Sequence, residues 1–181
     1  NLPFLPKIDK SKPNLLIVGG SSGAKFINEK TEENLEDLLK FFNVIHITGK
    51  GKNNEKTGRI NGYIQVEYAD NMGDYLALSD YVLSRAGSGA INEFLALNKP
   101  MFLIPLSKSC SRGDQIENAK LFKNLGYCEM LEEEEYTKAL FMDKINNLIK
   151  NDKIIRNNMQ KSQIIDANKK IINIIKKIER D

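Results

Sequence analysis

Three segments of this chain combine small residues with hydroxyls, amides or a carboxylate at spacings suited to holding an anion. The first is Gly19-Gly20-Ser21-Ser22-Gly23-Ala24-Lys25. Glycines let a phosphate approach the backbone, amides at a helix start bind it, and Ser21 and Ser22 add hydroxyl donors. The spacing is neither G-x-x-x-x-G-K-S/T, as in a Walker A loop, nor the G-x-G-x-x-G of a dinucleotide fingerprint. Any tight strand-to-helix turn also needs glycines, so this loop alone leaves both readings open.

The second segment runs from Ser84 to Glu93 and reads Ser-Arg-Ala-Gly-Ser-Gly-Ala-Ile-Asn-Glu. A strand ends, small residues follow and a helix begins, so the amides of Ser88, Gly89 and Ala90 would face an anion. Glu93, about one turn into that helix, is placed to accept two hydrogen bonds from a ribose diol. An acid near a helix N-terminus is also favourable on electrostatic grounds alone, and both readings of Glu93 stand. The third segment, Pro105 to Ala119, leaves another strand end and would turn Asp114 and Gln115 toward the same crevice. Three such loops at the carboxyl ends of parallel strands are where open α/β sheets place a ligand.

Other reactive side chains carry less. His46 is the only histidine. Within an apolar strand it reads as a structural residue, and no Ser-His-Asp set can be assembled around it. Cys110 and Cys128 lack metal-ligand spacing and read as free thiols of a reducing compartment. The run Glu132-Glu133-Glu134-Glu135 reads as a solvated turn. No D-x-D triplet, a common metal-diphosphate anchor, occurs. No metal site is therefore expected, and backbone dipoles would stabilise a phosphate leaving group.

The elements that must position these loops are legible as short apolar runs. Residues 14–18, 44–48, 63–67, 80–84 and 101–105 read as strands, several of them apolar throughout, as in a buried parallel sheet. Between the first two lies a helical stretch, read as broken near Lys30. Thr31 would cap its second part, with Leu35, Leu38, Leu39 and Phe42 on one face. Residues 50–62 are polar and glycine-bearing, hence a loop. Residues 90–97 are helical, with Ile91, Phe94 and Leu95 inward. Alternating strands and helices imply a Rossmann-like parallel sheet of five or six strands with helices on both faces. From Asp152 to Asp181 strand signals cease, and this stretch reads as a C-terminal helical tail. Its stripe of Ile164, Ile165, Ile171, Ile172, Ile175 and Ile178, flanked by lysines, suits either packing on a protein surface or lying on a membrane.

Composition bounds the rest. The 181 residues make one domain, and 41% hydrophobic content is enough for one core. A net charge of +3 does not predict nucleic-acid binding, but leaves room for peripheral attraction to an anionic membrane. No apolar run approaches the roughly 20 residues of a membrane span, and no signal peptide is recognisable at the start. The first residue is Asn1 rather than Met, so the sequence is read as an excised or processed piece.

Several motifs in order carry a resemblance. They are Gly19 to Ala24, Thr48-Gly49, Asp70-Asn71-Met72, Ser84 to Glu93, Lys99 to Pro105, and Asp114 to Ala119. Together they cover most of residues 14–130. The series resembles the C-terminal half of the bacterial peptidoglycan N-acetylglucosaminyltransferases. That resemblance implies one half of a GT-B architecture, in which the N-terminal half, not found in this sequence, holds the acceptor and the general base. It implies binding of UDP-N-acetylglucosamine without a cofactor. The backbone at Tyr68 and Ala69 would meet uracil, Glu93 the ribose, and Asp114 and Gln115 the sugar. Gly20, Ser21 and Ser22 of the first loop, with Ser88, Gly89 and Ala90, would hold the diphosphate. Three residues, and a polar loop from Ser107 to Gly113 longer than in some relatives, depart from the family pattern. Gly89-Ala90 replaces a bulkier residue and Thr, and Asp114 stands where His or Gln is common. The implied reaction is inverting transfer of N-acetylglucosamine to an undecaprenyl-diphosphate-linked muramoylpentapeptide, at the cytoplasmic face of the cell membrane. Alternatives are the donor-binding subunit of a naturally split lipid-linked transferase, a UDP-sugar epimerase of similar fold, or a non-catalytic sugar-nucleotide module.

Overall fold

The computed structural model describes residues 8–20, 23–109 and 113–162. Six strands form one parallel sheet: β1 (Asn14–Val18), β2 (Asn43–Ile47), β3 (Tyr63–Val66), β4 (Tyr81–Ser84), β5 (Met101–Leu103) and β6 (Cys128–Met130). Their spatial order is β3-β2-β1-β4-β5-β6, with every neighbouring pair parallel. Every residue of β1 and β2 is buried. Alternate side chains point to opposite faces, so both faces of the sheet centre must be covered. The strand order reverses between β1 and β4. In a doubly wound sheet this topological switch point opens a crevice beyond the strand ends.

Among the described residues, α1 (Lys25–Glu33), α2 (Leu35–Phe41), α3 (Met72–Leu78), α4 (Ser88–Ala96) and α5 (Asp114–Asn124) lie between strands, and α6 (Lys138–Lys150) and α7 (Asp152–Gln160) follow β6. The expected break near Lys30 falls later. Thr31 is not a cap but a buried residue inside α1, and the chain bends at Asn34. Tertiary contacts decide this: the fully buried Asn34 amide donates to the Lys30 carbonyl and to the Tyr136 hydroxyl, both at 2.8 Å. Leu35, Leu38 and Phe42 are buried as expected. Strand β6 has only three residues, Cys-Glu-Met, too short and too polar for its pattern to stand out. Its buried Glu129 is tolerated because Lys123 approaches to 2.6 Å.

After α6, α7 returns to the amino end of the sheet. Arg156 donates to the Asn98 carbonyl at 2.8 Å and the Asp80 carbonyl at 3.0 Å, and is paired with Asp152 at 2.8 Å. Buried Ile155 and Met159 add the apolar half of that contact. The isoleucine stripe from Ile164 onward lies outside the described residues. Among the described residues, no helix is long and apolar enough to cross a membrane.

Candidate functional site

A cleft of about 910 Å³ opens beyond the carboxyl ends of β1 and β4. Its walls include Gly19, Gly20 and Gly23 from the first loop and Tyr68, Ala69 and Met72 from the segment after β3. Arg85, Gly87, Ala90 and Glu93 follow β4, and Leu106, Gln115 and Glu133 close the far side. The volume falls within the range of small-molecule sites. The sheet topology and the cleft thus agree on the position of a ligand.

Two glycines of the first loop serve the fold. Gly23 lies in the left-handed region at φ +69, and a Cβ there would collide with the Thr48 carbonyl at the end of β2. A Cβ on Gly19 would collide with Ala24. Gly20, by contrast, has open space around it although its φ is +100. Ser21 and Ser22 lie outside the described residues.

Thr48 is held in turn by a buried network. Its carbonyl accepts from the Asn28 Nδ2 group at 2.8 Å, so Asn28 Oδ1 faces His46 Nε2 at 3.0 Å. The imidazole must therefore carry its proton on Nε2, leaving Nδ1 to accept from the Tyr63 hydroxyl at 2.7 Å. Burial pushes the His46 pKa down to about 4, so the ring is neutral near pH 7. His46 is structural, as its place in an apolar strand suggests.

The helices that follow β1 and β4, the two strands flanking the switch point, share one property at their starts. Helices α1 and α4 have neither a side-chain cap nor an acidic residue in the first turn. The five others have one or the other: Asn71 caps α3, Thr137 caps α6, and acids open α2, α5 and α7. The first amides of a helix have no partner within it and carry the positive end of its dipole. At α1 and α4 no side chain among the described residues caps those donors, which suits an anion. Around Gly87 and Gly89 an added Cβ would meet nothing within 4 Å, so the α4 entrance is roomy.

The expected site residues are distributed unevenly. Gly20, Tyr68, Ala69, Ala90, Glu93 and Gln115 line the cleft. Ser88 and Gly89 form the exposed first turn of α4, which begins two residues before the expected helix start. Glu93 is exposed at the cleft and makes no ion pair or side-chain hydrogen bond among the described residues. Tyr68 is 50% exposed, with the Lys50 ammonium 5.3 Å from its ring centre. Asp114 does not join them. It is exposed in the first turn of α5, outside the cleft wall, where its charge complements the helix dipole. Gln115 Oε1 accepts from Leu106 N at 3.1 Å, which turns its Nε2 donors the other way.

Other motif residues hold the framework. Asn71 caps α3 by accepting from Gly73 N at 3.2 Å. Asn118 donates to the Ala86 carbonyl at 3.1 Å and so fixes the loop after β4. Lys99 donates to the Ser79 carbonyl at 2.6 Å, and burial lowers its pKa from the ordinary lysine value. The sequence suggests no role for Arg85 and places Glu133 in a solvated turn. Arg85 is 9% exposed and pairs with Glu133 at the cleft wall. The glutamate run is therefore not a uniformly solvated turn: Glu133 binds Arg85, and Glu132 lies 3.4 Å from Lys120. A run of four like residues carries no signal for which one turns inward.

A doubly wound parallel sheet with a cleft at its switch point defines a Rossmann-like α/β domain. Residues 14–178 match the family described as glycosyltransferase family 28 C-terminal domain, and the chain belongs to that family. It is 48% identical over 167 residues to the Clostridium kluyveri UDP-N-acetylglucosamine–N-acetylmuramyl-(pentapeptide) pyrophosphoryl-undecaprenol N-acetylglucosamine transferase, covering 92% of this chain and 47% of that protein. The protein of the same name from Clostridium tetani is 46% identical over 168 residues, with 92% and 47% covered. The crystal structure of Acinetobacter baumannii MurG superposes with a TM-score of 0.72 at 21% identity, covering 93% of this chain and 51% of that one. This chain thus spans about half the length of the curated relatives it matches.

Proposed function

We propose that this domain binds UDP-N-acetylglucosamine as the donor half of an inverting hexosyltransferase of peptidoglycan synthesis. The observation that carries the reading is the pair of uncapped, acid-free helix starts at the switch-point cleft. A diphosphate seated there would receive amide hydrogen bonds from α1 and α4 and charge from both helix dipoles. The same donors would stabilise the UDP leaving group as the glycosidic bond breaks, because they are already oriented when charge develops. The Glu93 carboxylate, without a partner among the described residues, would hold the ribose diol. Tyr68 and Ala69 would flank the base, and the Nε2 donors of Gln115, which have no partner among the described residues, would meet an oxygen of the sugar. No cofactor is needed for this role.

The identity of the acceptor rests on the curated relatives, whose names specify an undecaprenol-linked muramyl pentapeptide. The acceptor groove and the general base would come from an N-terminal half, which matches the half-length coverage. His46 cannot serve as that base, being fully buried and hydrogen-bonded at both ring nitrogens. The reaction would occur at the cytoplasmic membrane face.

Titration calorimetry of this chain with UDP, UDP-N-acetylglucosamine and an ADP-sugar tests the donor reading. Uridine nucleotides should bind and the ADP-sugar should bind at least about tenfold more weakly, a difference of about 1.4 kcal/mol. Equal affinity for the two bases would refute the assignment.

A further inference from the structure

We propose that the Arg85–Glu133 ion pair is a positioning device for recognition of the donor's sugar, acting through one peptide unit on Gln115. The proposal rests on the donor reading above. Arg85 follows β4 directly, and its Nη1 donates to the carbonyls of Ile104 and Pro105, each at 3.0 Å. Glu133, just beyond β6, pairs with the same Nη1. One guanidinium therefore ties together the carboxyl ends of three neighbouring strands at the cleft.

The Pro105 carbonyl and the Leu106 N–H belong to one planar peptide. Arg85 holds the oxygen end of that peptide, while its N–H donates to Gln115 Oε1 at 3.1 Å. The plane of the Gln115 amide is thereby set by the guanidinium. With Oε1 engaged, the group offered to the cleft is the NH₂ donor, which suits a hydroxyl or acetamido oxygen. A positive charge on the carbonyl end also polarises the peptide and strengthens the N–H donor at the other end. Glu133 keeps the guanidinium in place: the two side chains are only 10% and 18% exposed, so neither charge is left to water alone. Gln115 touches the sugar, and Arg85 and Glu133 act through it. The nucleotide and diphosphate contacts on α1, α4 and the segment after β3 do not depend on this chain of bonds.

The test compares UDP with UDP-N-acetylglucosamine on the wild-type chain and on Glu133→Gln, Arg85→Lys, Gln115→Ala and the Glu133→Gln/Gln115→Ala double variant. Both pair substitutions keep a polar side chain of similar length, and thermal melting identifies the folded variants. In the wild type the ratio of the two dissociation constants isolates the sugar's contribution. Glu133→Gln and Arg85→Lys should leave UDP affinity within about twofold and shift that ratio against the sugar nucleotide by about fivefold, the size of one ordinary hydrogen bond. Gln115→Ala should shift it by at least as much, and the double variant no further, because the pair acts only through Gln115. Additive shifts, or equal weakening of UDP and the sugar nucleotide, would overturn the proposal while leaving the donor reading intact. Failure of the wild type to bind either uridine ligand would overturn both.

Discussion

If the start of α4 seats a diphosphate, giving that helix a good cap should stabilise the domain and disable it together. Gly87 is the N-cap, at φ −68 and ψ 133, which a β-region cap residue adopts without strain. A Cβ there meets nothing within 4 Å. Gly87→Asp therefore adds a side chain that can accept from the first-turn amides and a charge that complements the dipole. Replacing Gly by Asp at a cap gains a few tenths of a kcal/mol, and a carboxylate at a helix start about 0.3–1 kcal/mol. The sum corresponds to a rise of roughly 2–3 °C in melting temperature for a domain of this size.

Binding should move the other way. The carboxylate occupies the amides that the ligand needs and stands beside its charge. At roughly 5 Å and an effective dielectric of about 20, one charge on another costs about 3 kcal/mol, on the order of a hundredfold in Kd. Gly87→Asn is the control, since it caps without charge; it should keep most of the stability gain and lose less affinity. Urea denaturation and UDP calorimetry on the same preparations give both numbers. A stabilised Gly87→Asp that still binds UDP like the wild type would refute the placement of the diphosphate at α4. A destabilised variant would show that the loop is not free to accept a side chain.

Further outcomes follow from other residues. Glu93→Ala should cost about 1.5–3 kcal/mol of UDP affinity, as for a hydrogen bond to a charged group, with a melting temperature near that of the wild type; unchanged affinity with a large melting loss would make Glu93 a helix-terminus charge only. Gly23→Ala should destabilise by roughly 2–4 kcal/mol in urea titrations, because left-handed strain and overpacking combine against the Thr48 carbonyl. His46 binds its proton at 6.5 when unfolded and only near 4 when folded, so stability should be flat above pH 6.5 and fall by about 3 kcal/mol as pH drops from 6.5 to 4. His46→Gln, compared across the same pH range, should lack that component. Radiolabel transfer to a soluble lipid-linked acceptor should be absent with this chain alone and appear when an N-terminal half is supplied; comparable turnover by the two would require a base among residues 1–181.

The parts of this molecule that were legible in the sequence are those whose physics is local. Five strands show because buried parallel strands must be apolar throughout, and the glycine loops show because only glycine tolerates the Gly23 backbone. The helix bend at Asn34 was not legible, because its cause is Tyr136, 102 residues away. The same holds for β6, whose three residues are a strand only because β5 lies beside them. Asp114 and Gln115 are adjacent and both polar, yet only Gln115 reaches the cleft. The first turn of α5 splays them apart, and no pattern in the sequence sets the rotation of that turn.

The same division runs through the site itself. Residues that would touch the ligand sit in short motifs, since a loop between a strand end and a helix start must supply amides, space and a carboxylate within about ten positions. The residues that aim those loops are scattered: Asn28 on α1 holds Thr48, Asn118 on α5 holds Ala86, and Glu133 beyond β6 holds Arg85. Each is a polar side chain whose partner is a loop carbonyl or a guanidinium at a strand end. In each case the bond crosses between elements, and two of the three span more than 30 residues. Such bonds fix loop geometry without altering loop composition. A substitution among them should therefore leave the motifs intact and degrade their aim, so selectivity between ligands, rather than affinity for the nucleotide alone, is the measurement in which these residues will be seen.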